Sequence, residues 1–451
     1  MASIKLYPYQ QQGVDFLLQR SGGLLLDEQG LGKTIQALVA IRNTLDTIDT
    51  TLNSARKPIT HLIIVCPAVM QATWKVHVES ILGDFRASVK ILIHSYEWYS
   101  KTDNLKSIIV DIKSTPSKIA VLVDEAHYIK TPTSLRTRAV LTLVGLPEVV
   151  FKVLLTGTPI TRDIDDLYIP LKVFYEGSPL VHYPRSIYEY RKRFMRCIHT
   201  FFGDKYQGYR SDGAKEYLKS LLKQVSLRRT KSSVGLNLPP ILRTPVYIDI
   251  NKSVAKESLT ILDYAIRVIN GADSYTTYKT DLEEEASHVA TIRKALGIAK
   301  VPQAVQYIQT LTDANINKII VFGVHIDVVK LLSETLKTKL KSYKVHTITG
   351  GTTIPQRDRI IDSFQNDQSP QILVANMVAC GVGITLTAAH TVVFAELDFT
   401  PSNMMQAEAR VHRISQTSSV SSVYLLANNS LDVKIMELIK TKMEIIKETL
   451  K

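Results

Sequence analysis

The residues able to do chemistry fall in a few short strings. The first is Gly23-Leu-Leu-Leu-Asp-Glu-Gln-Gly-Leu-Gly-Lys-Thr34, an apolar run that enters a glycine loop and ends on Lys-Thr. A helical pattern follows it. In that setting backbone N–H groups close around phosphate oxygens. Gly30 and Gly32 free the backbone to do so, Lys33 is placed for the outer phosphates and Thr34 for Mg²⁺, and the helix N-terminus adds its dipole. The general motif has Gly where this chain has Asp27, which is a departure. The second string is Ile119-Ala-Val-Leu-Val-Asp-Glu-Ala-His127, an apolar run that delivers two adjacent carboxylates. Asp124 suits Mg²⁺ opposite Thr34, and Glu125 suits polarisation of an attacking water. Alone, such an Asp-Glu pair is as readily a helix cap. Paired with the glycine loop, it predicts metal-assisted hydrolysis of a nucleoside triphosphate.

Two further strings are weaker taken singly. Leu154-Leu-Thr-Gly-Thr-Pro159 ends an apolar run with small hydroxyl residues, which suits a coupling loop near a γ-phosphate or an ordinary turn. Gln406-Ala-Glu-Ala-Arg-Val-His-Arg413 carries Arg410 and Arg413 at i and i+3, which on a helix would share a face. Two guanidinium groups so placed can stabilise charge on a transferring phosphate, although paired arginines on a helix are more often simply solvated.

These strings need a scaffold. Short apolar runs at Gly23–Glu28, His61–Cys66, Val89–Ser95, Lys118–Asp124 and Phe151–Leu155 alternate with helical patterns. Runs apolar on both faces and separated by helices predict a parallel sheet covered on both sides. The second half repeats the style, with strands expected at Lys318–Phe322, Lys344–Ile348, Gln371–Ala375, Thr391–Ala395 and Ser422–Leu426, and helices at about 326–340, 354–365, 402–413 and 431–450. The expected fold is α/β, with two lobes, 1–240 and 241–451, each a mainly parallel sheet flanked by helices. Residues from about 175 to 240 are rich in Tyr, Arg and Lys and lack buried-strand runs, so they read as a helical extension of the first lobe. The boundary is set at Leu238-Pro239-Pro240, because consecutive prolines stop regular structure.

Composition narrows the class. The 451 residues are 45% apolar and 22% charged, as in globular domains, and contain no run of about 18 apolar residues that would span a bilayer. The start of the chain does not lead into a signal-peptide core. The three cysteines, Cys66, Cys197 and Cys380, have no paired metal spacing. An intracellular setting is expected: the cytoplasm of a prokaryotic or infected host cell, or the nucleus of a eukaryote. The formal charge of +13 favours a polyanionic partner, because basic side chains displace counterions from phosphates. Candidate nucleic-acid contacts are Trp74, by stacking, and the basic residues Arg191, Lys192, Arg193, Arg228 and Arg229. Solvated helix faces and core aromatics are the competing readings.

Taken in order, the strings resemble the superfamily 2 helicases and, within them, the Swi/Snf-type ATPases. Leu6-Tyr-Pro-Tyr-Gln-Gln-Gln-Gly13 is similar to the family's adenine-reading segment, which implies that Gln10 recognises the base. Asp27-Glu-Gln-Gly-Leu-Gly-Lys-Thr34 matches the family's own phosphate loop, with Asp at the odd position. Pro67 to Trp74 resembles the next motif, and Leu227-Arg-Arg-Thr-Lys231 followed by Leu238-Pro239 resembles the link between lobes. Ala379-Cys-Gly-Val-Gly-Ile-Thr-Leu-Thr-Ala388, Val392-Val-Phe-Ala-Glu-Leu397 and Gln406 to Arg413 are similar to the annealing-helicase (HepA-related) branch, and the compact size suits a phage or viral branch-migration helicase. Ser415 departs from the branch, which usually has Gly there.

The resemblance implies two RecA-like lobes with ATP and Mg²⁺ between them. Gln10, Lys33, Thr34, Asp124 and Glu125 come from the first lobe, and Gly383, Arg410 and Arg413 from the second. It also implies a monomeric DNA motor that remodels branched or forked duplexes in replication, recombination or repair. A nucleotide-gated clamp on protein–DNA complexes and an RNA helicase are the alternatives.

Overall fold

The computed structural model describes residues 5–46, 59–83, 89–114, 116–179, 181–200, 203–262, 279–380 and 384–450. The chain divides into two compact units. The first comprises Met1–His199, Tyr206–Leu236 and Ile446–Lys451, and the second Thr200–Lys205 and Asn237–Ile445.

Unit 1 is built on six strands: β1 (Gly22–Leu25), β2 (His61–Cys66), β3 (Lys90–Ser95), β4 (Ile119–Asp124), β5 (Val149–Leu155) and β8 (Ser226–Leu227). Their order is β3-β2-β4-β5-β1-β8, and every neighbouring pair is parallel. Helix α1 (Pro8–Arg20) precedes β1, and α2 (Lys33–Asp46), α3 (Gln71–Leu82), α4 (Tyr96–Tyr99), α5 (Thr102–Lys113) and α6 (Leu135–Val144) fall between the strands in sequence. β1, β2 and β4 are buried along their whole lengths, as two-sided apolar runs require, whereas the edge strand β3 is half-exposed. The expected parallel sheet is therefore present; each of the five strands expected in the first half lies within three residues of its expected start and end, and the short edge strand β8 was not expected.

The extension carries the helices α7 (Tyr168–Tyr175), α8 (Ile187–Phe194) and α9 (Asp212–Val225). It departs from a purely helical reading in one respect. β6 (Met195–Thr200) and β7 (Gly203–Tyr209) form a separate two-stranded sheet. Their residues, Met-Arg-Cys-Ile-His-Thr and Gly-Asp-Lys-Tyr-Gln-Gly-Tyr, lack the continuous apolar run of a buried strand. A cluster of rings beneath α8 fixes the extension: Tyr190 and Phe194 are fully buried, and the Tyr190 hydroxyl donates to the Ile164 carbonyl at 3.0 Å.

Unit 2 repeats the plan with β9 (Ile241–Ile248), β10 (Lys318–Gly323), β11 (Lys344–Ile348), β12 (Gln371–Asn376), β13 (Thr391–Phe394) and β14 (Val420–Ala427), in the parallel order β11-β12-β10-β13-β14-β9. Its helices are α10 (Lys252–Thr260), α11 (Lys279–Asp313), α12 (Ile326–Lys339), α13 (Ile354–Asn366), α14 (Met377–Cys380), α15 (Pro401–Val411) and α16 (Leu431–Thr449). β9 and α11 were not anticipated. β9 is mostly exposed and contains Pro245, so its hydrophobic signal is weak; eight successive pairings with β14 hold it at the sheet edge. α11 continues through Pro302, and its buried face includes Lys300, whose ammonium pairs with Asp432 at 2.7 Å. Among the described residues, no helix is long and apolar enough to cross a membrane.

Candidate active site

Strand β1 runs into the glycine loop, and α2 begins at Lys33. Gly30 and Gly32 have φ of +90° and +75°, a region open to glycine at little cost. Gln10, in the first turn of α1, braces this loop. Its side-chain carbonyl accepts from the Tyr7 N–H at 3.1 Å, its amide donates to the Leu31 carbonyl at 3.4 Å, and a Cβ at Gly32 would stand 2.4 Å from that amide nitrogen. The Lys33 ammonium donates to the carbonyls of Asp27 at 2.7 Å and Glu28 at 3.4 Å. Burial holds its pKa below the usual lysine value, against the pull of Glu125, Asp27 and Asp124.

β4 ends on the paired carboxylates. Asp124 is buried, and burial followed by the charge of Glu125 pushes its pKa up to about 6. Its two oxygens accept from the Trp74 indole N–H at 2.8 Å and the Glu125 N–H at 3.0 Å, which fixes its rotamer and leaves lone pairs for a cation. Glu125 sits in the left-handed region at φ 50°, a conformation that costs energy for a non-glycine residue and clusters at functional sites. His127 Nδ1 lies 3.2 Å from the Glu125 carboxylate and 3.1 Å from Thr156 Oγ1, so the carboxylate string is wired to the Thr-Gly-Thr string. That loop also reaches the glycine loop: a Cβ at Gly157 would stand 2.7 Å from Gln29 Cγ and 3.4 Å from Lys33 Nζ. The first three strings therefore converge on one place in unit 1.

The donor set fits ATP with Mg²⁺. Backbone N–H groups and an ammonium face the loop, a carboxylate held by an indole stands at the end of β4, and a second carboxylate follows it. Lys33 and the loop would hold phosphates, Thr34 and Asp124 the cation.

Several sequence candidates need correction. Trp74 has no exposed surface and donates to Asp124, so it cannot stack on a base. Arg229 is buried, with its guanidinium forked onto the Asp27 carboxylate at 3.0 and 2.5 Å. Arg228 donates to the Leu26 carbonyl at 3.2 Å, and burial lowers its pKa. Both arginines lie against the glycine loop because β8 pairs with β1. In α8, Arg191 is bonded to Asp165 at 2.7 Å and Arg193 to the His182 carbonyl at 2.7 Å, while Lys192 is exposed with its ammonium 4.4 Å from the Tyr188 ring centre. Sequence reasoning had missed the Arg229–Asp27 pair. The departure from Gly at Asp27, together with the adjacent arginines of the link, was the only available signal.

In unit 2 the Arg410 and Arg413 reading changes. α15 ends at Val411; His412 turns out of the helix at ψ 77°, and its Nε2 lies 2.7 Å from the Pro239 carbonyl. Arg410 is thus in the last helical turn and nearly inaccessible, whereas Arg413 lies beyond the helix, so the two do not share a helical face. Arg413 donates from Nη1 to Thr385 Oγ1 at 2.6 Å. The two strings of this unit, 379–388 and 406–416, are further laced together: Leu386 N–H donates to the Arg410 carbonyl at 2.9 Å, Gln416 donates to the carbonyls of Thr387 and Ala389, and Ser415 Oγ bonds Thr387 Oγ1 at 3.2 Å. Ser415 thus gains a partner that glycine would lack. Gly383 lies outside the described residues. Glu408 is buried and held by Arg243, Ser422 and Tyr424, at 2.7, 2.7 and 2.6 Å.

An SNF2-related domain matches residues 9–87 and 81–284, and a helicase conserved C-terminal domain matches 300–415. The chain belongs to the SNF2-related family. Nucleotide use follows from that membership. Among similar proteins, the DNA annealing helicase and endonuclease ZRANB3 of Homo sapiens is 28% identical over 99% of this chain and 40% of its own length. A Caenorhabditis elegans homolog of the SWI/SNF-related matrix-associated actin-dependent regulator of chromatin subfamily A-like protein 1 is 28% identical over 98% of this chain and 61% of its own. The chain therefore spans roughly two fifths to three fifths of these SNF2-related relatives. The solved SWI2/SNF2 ATPase core domain of Sulfolobus solfataricus is 24% identical over 99% of this chain and 90% of that chain, with a TM-score of 0.41. The Swi/Snf-type resemblance, with annealing helicases among the relatives, holds.

Proposed function

We propose that this SNF2-related chain is a DNA-stimulated, Mg²⁺-dependent ATPase that remodels branched or forked DNA. The observation that carries the reading is the convergence of Lys33, Asp124, Glu125 and the His127–Thr156 contact on one glycine loop. Mg²⁺-bound ATP supplies a phosphoanhydride whose terminal phosphoryl group is transferred to water. Lys33 holds phosphate charge, Asp124 is oriented by Trp74 for the cation, and Glu125 orients and takes a proton from the attacking water. His127 reports that event to Thr156. Arg413 and Arg410 are the guanidinium groups assigned to transition-state charge. The basic balance of +13 supports a polyanionic substrate, and the names of the relatives support DNA.

The test is ATP hydrolysis at fixed salt with no nucleic acid, single-stranded DNA, blunt duplex, fork, four-way junction and RNA duplex. Stimulation is expected to be largest with branched DNA, together with branch migration or short unwinding. Stimulation by RNA alone, or no remodelling of any junction, would overturn the DNA-junction role while leaving the ATPase intact.

A further inference from the structure

The segment that leaves α9 forms part of the wall of the phosphate loop. Leu26 N–H donates to the Leu227 carbonyl and Glu28 N–H to the Arg229 carbonyl, both at 2.8 Å, and Lys231 N–H donates to the Glu28 carboxylate at 2.8 Å. Residues 226–231 thus follow the loop backbone for six residues. On this track Arg229 makes the bidentate pair with Asp27, donates to Gln36 Oε1 at 2.8 Å, and also donates to the Tyr9 carbonyl. Gln36 returns to the Asp27 carboxylate at 3.2 Å. Asp27 has no exposed surface.

A buried ion pair is weak evidence for stability, because apolar residues of the same volume often serve the fold as well or better. What a forked guanidinium supplies is a fixed position. Here the fixed residue has a second duty. The main-chain carbonyl of Asp27 is the nearest acceptor of the Lys33 ammonium, at 2.7 Å. One residue is therefore gripped by Arg229 at its side chain and grips the phosphate-binding lysine with its backbone.

We propose that Arg229 is a positioning residue for nucleotide binding, acting through Asp27 to set the place of the Lys33 ammonium, so that the link at 226–231 belongs to the nucleotide site. The inference rests on the nucleotide-site reading above. By linkage, if Arg229 strengthens nucleotide binding at Lys33 through Asp27, bound nucleotide strengthens the Asp27–Arg229 contact by the same factor.

The test is a double-mutant cycle on the full chain, with a fluorescent ATP analogue titrated against wild type, Lys33→Ala, Arg229→Lys and the double variant. Arg229→Lys keeps the charge and loses the fork, so affinity is expected to fall roughly 10-fold, the loss of about one hydrogen bond to a charged group. In the Lys33→Ala background the same change should have no further effect, because the group it positions is gone. If Arg229→Lys folds poorly, the Asp27→Asn/Arg229→Gln pair, which removes both charges and keeps polar shape, replaces it in the cycle. Additive losses, or unchanged affinity on replacing Arg229, would overturn the inference with the nucleotide site still standing. Wild-type affinity in Lys33→Ala would overturn the site reading and the inference together.

Discussion

The charged groups of unit 1 hold one another in place, whereas the key arginine of unit 2 is left partly unsatisfied. Asp27 lies between Arg229 and Gln36, Asp124 between Trp74 and the Glu125 N–H, and Lys33 on two carbonyls. Arg413 has the Thr385 hydroxyl, a buried Nε with no hydrogen-bond partner and, among the described residues, no carboxylate paired to it. Burial alone lowers its pKa. A buried donor left unsatisfied costs about 1–3 kcal/mol, which a fold tolerates where function needs the group. The comparison teaches that the groups around the glycine loop of unit 1 are fixed by partners, while Arg413 of unit 2 is only partly satisfied.

Removing a group around the glycine loop should have the largest effect. Lys33→Ala is expected to abolish ATP turnover with far-UV circular dichroism unchanged, and Glu125→Gln to bind nucleotide normally yet hydrolyse it ~10³-fold more slowly or worse. Normal turnover in either variant breaks the assignment of unit 1. Arg413→Ala should lower kcat by about 10³-fold while nucleotide affinity and melting temperature hold, because no ion pair is lost. Equal losses in affinity and kcat would make Arg413 a ground-state contact, and a large drop in melting temperature would make it structural. Trp74→Phe should raise the Mg²⁺ concentration for half-maximal activity by roughly 10-fold, as loss of a residue that orients a metal ligand does. DNA affinity should stay within about twofold; a stacking role would instead cost ~1–3 kcal/mol per base.

The smallest effect concerns Asp163. Burial, and then the neighbouring Asp165 and Asp166, push its pKa up to about 6 against hydrogen bonds from Gly208 and Ile164. A folded pKa above the unfolded value of ~3.9 means that the folded state takes up a proton between those limits, so stability is lost as pH rises through about 6. Asp163→Asn removes that titration. The melting temperature of the variant minus that of wild type should therefore grow from pH 5 to pH 8, by a few degrees at most. A flat difference would show that Asp163 keeps an ordinary pKa.

The parts of the molecule that sequence revealed share one property, a local pattern. β2 matches its expected bounds because its apolar run is continuous, and β11 because Val345, Thr347 and Ile348 are β-branched. The placing of Lys33 after β1 and of Asp124 and Glu125 at the end of β4 was legible because each string carries its own strand and turn. Edges and long-range partners were not. β9 has mostly exposed side chains and pairs in the sheet only with β14, which leaves little hydrophobic trace. Trp74 was assigned to bases because indoles stack, and nothing within several residues of it announces Asp124. The Arg410–Arg413 spacing implied a shared face, but His412 breaks the helix between them to reach Pro239. Arg229 and Asp27 are 202 residues apart, so no window on the sequence contains both.

That separation has a consequence for how the chain is made. β1, which carries the phosphate loop, is the first strand of unit 1 to leave the ribosome, yet its sheet neighbours β5 and β8 follow only after residues 149 and 226. Contacts of such sequence distance close late, because the intervening loop entropy must be overcome first. The nascent glycine loop therefore lacks β5 until residue 155 has been made, and lacks β8 and Arg229 until residue 229 has been made. Arrested chains that end before β8 should be open to proteolysis around the loop, and chains that also expose residues 226–231 beyond the ribosomal tunnel should become resistant. Competence to hold a nucleotide then marks the completion of the unit 1 sheet during synthesis.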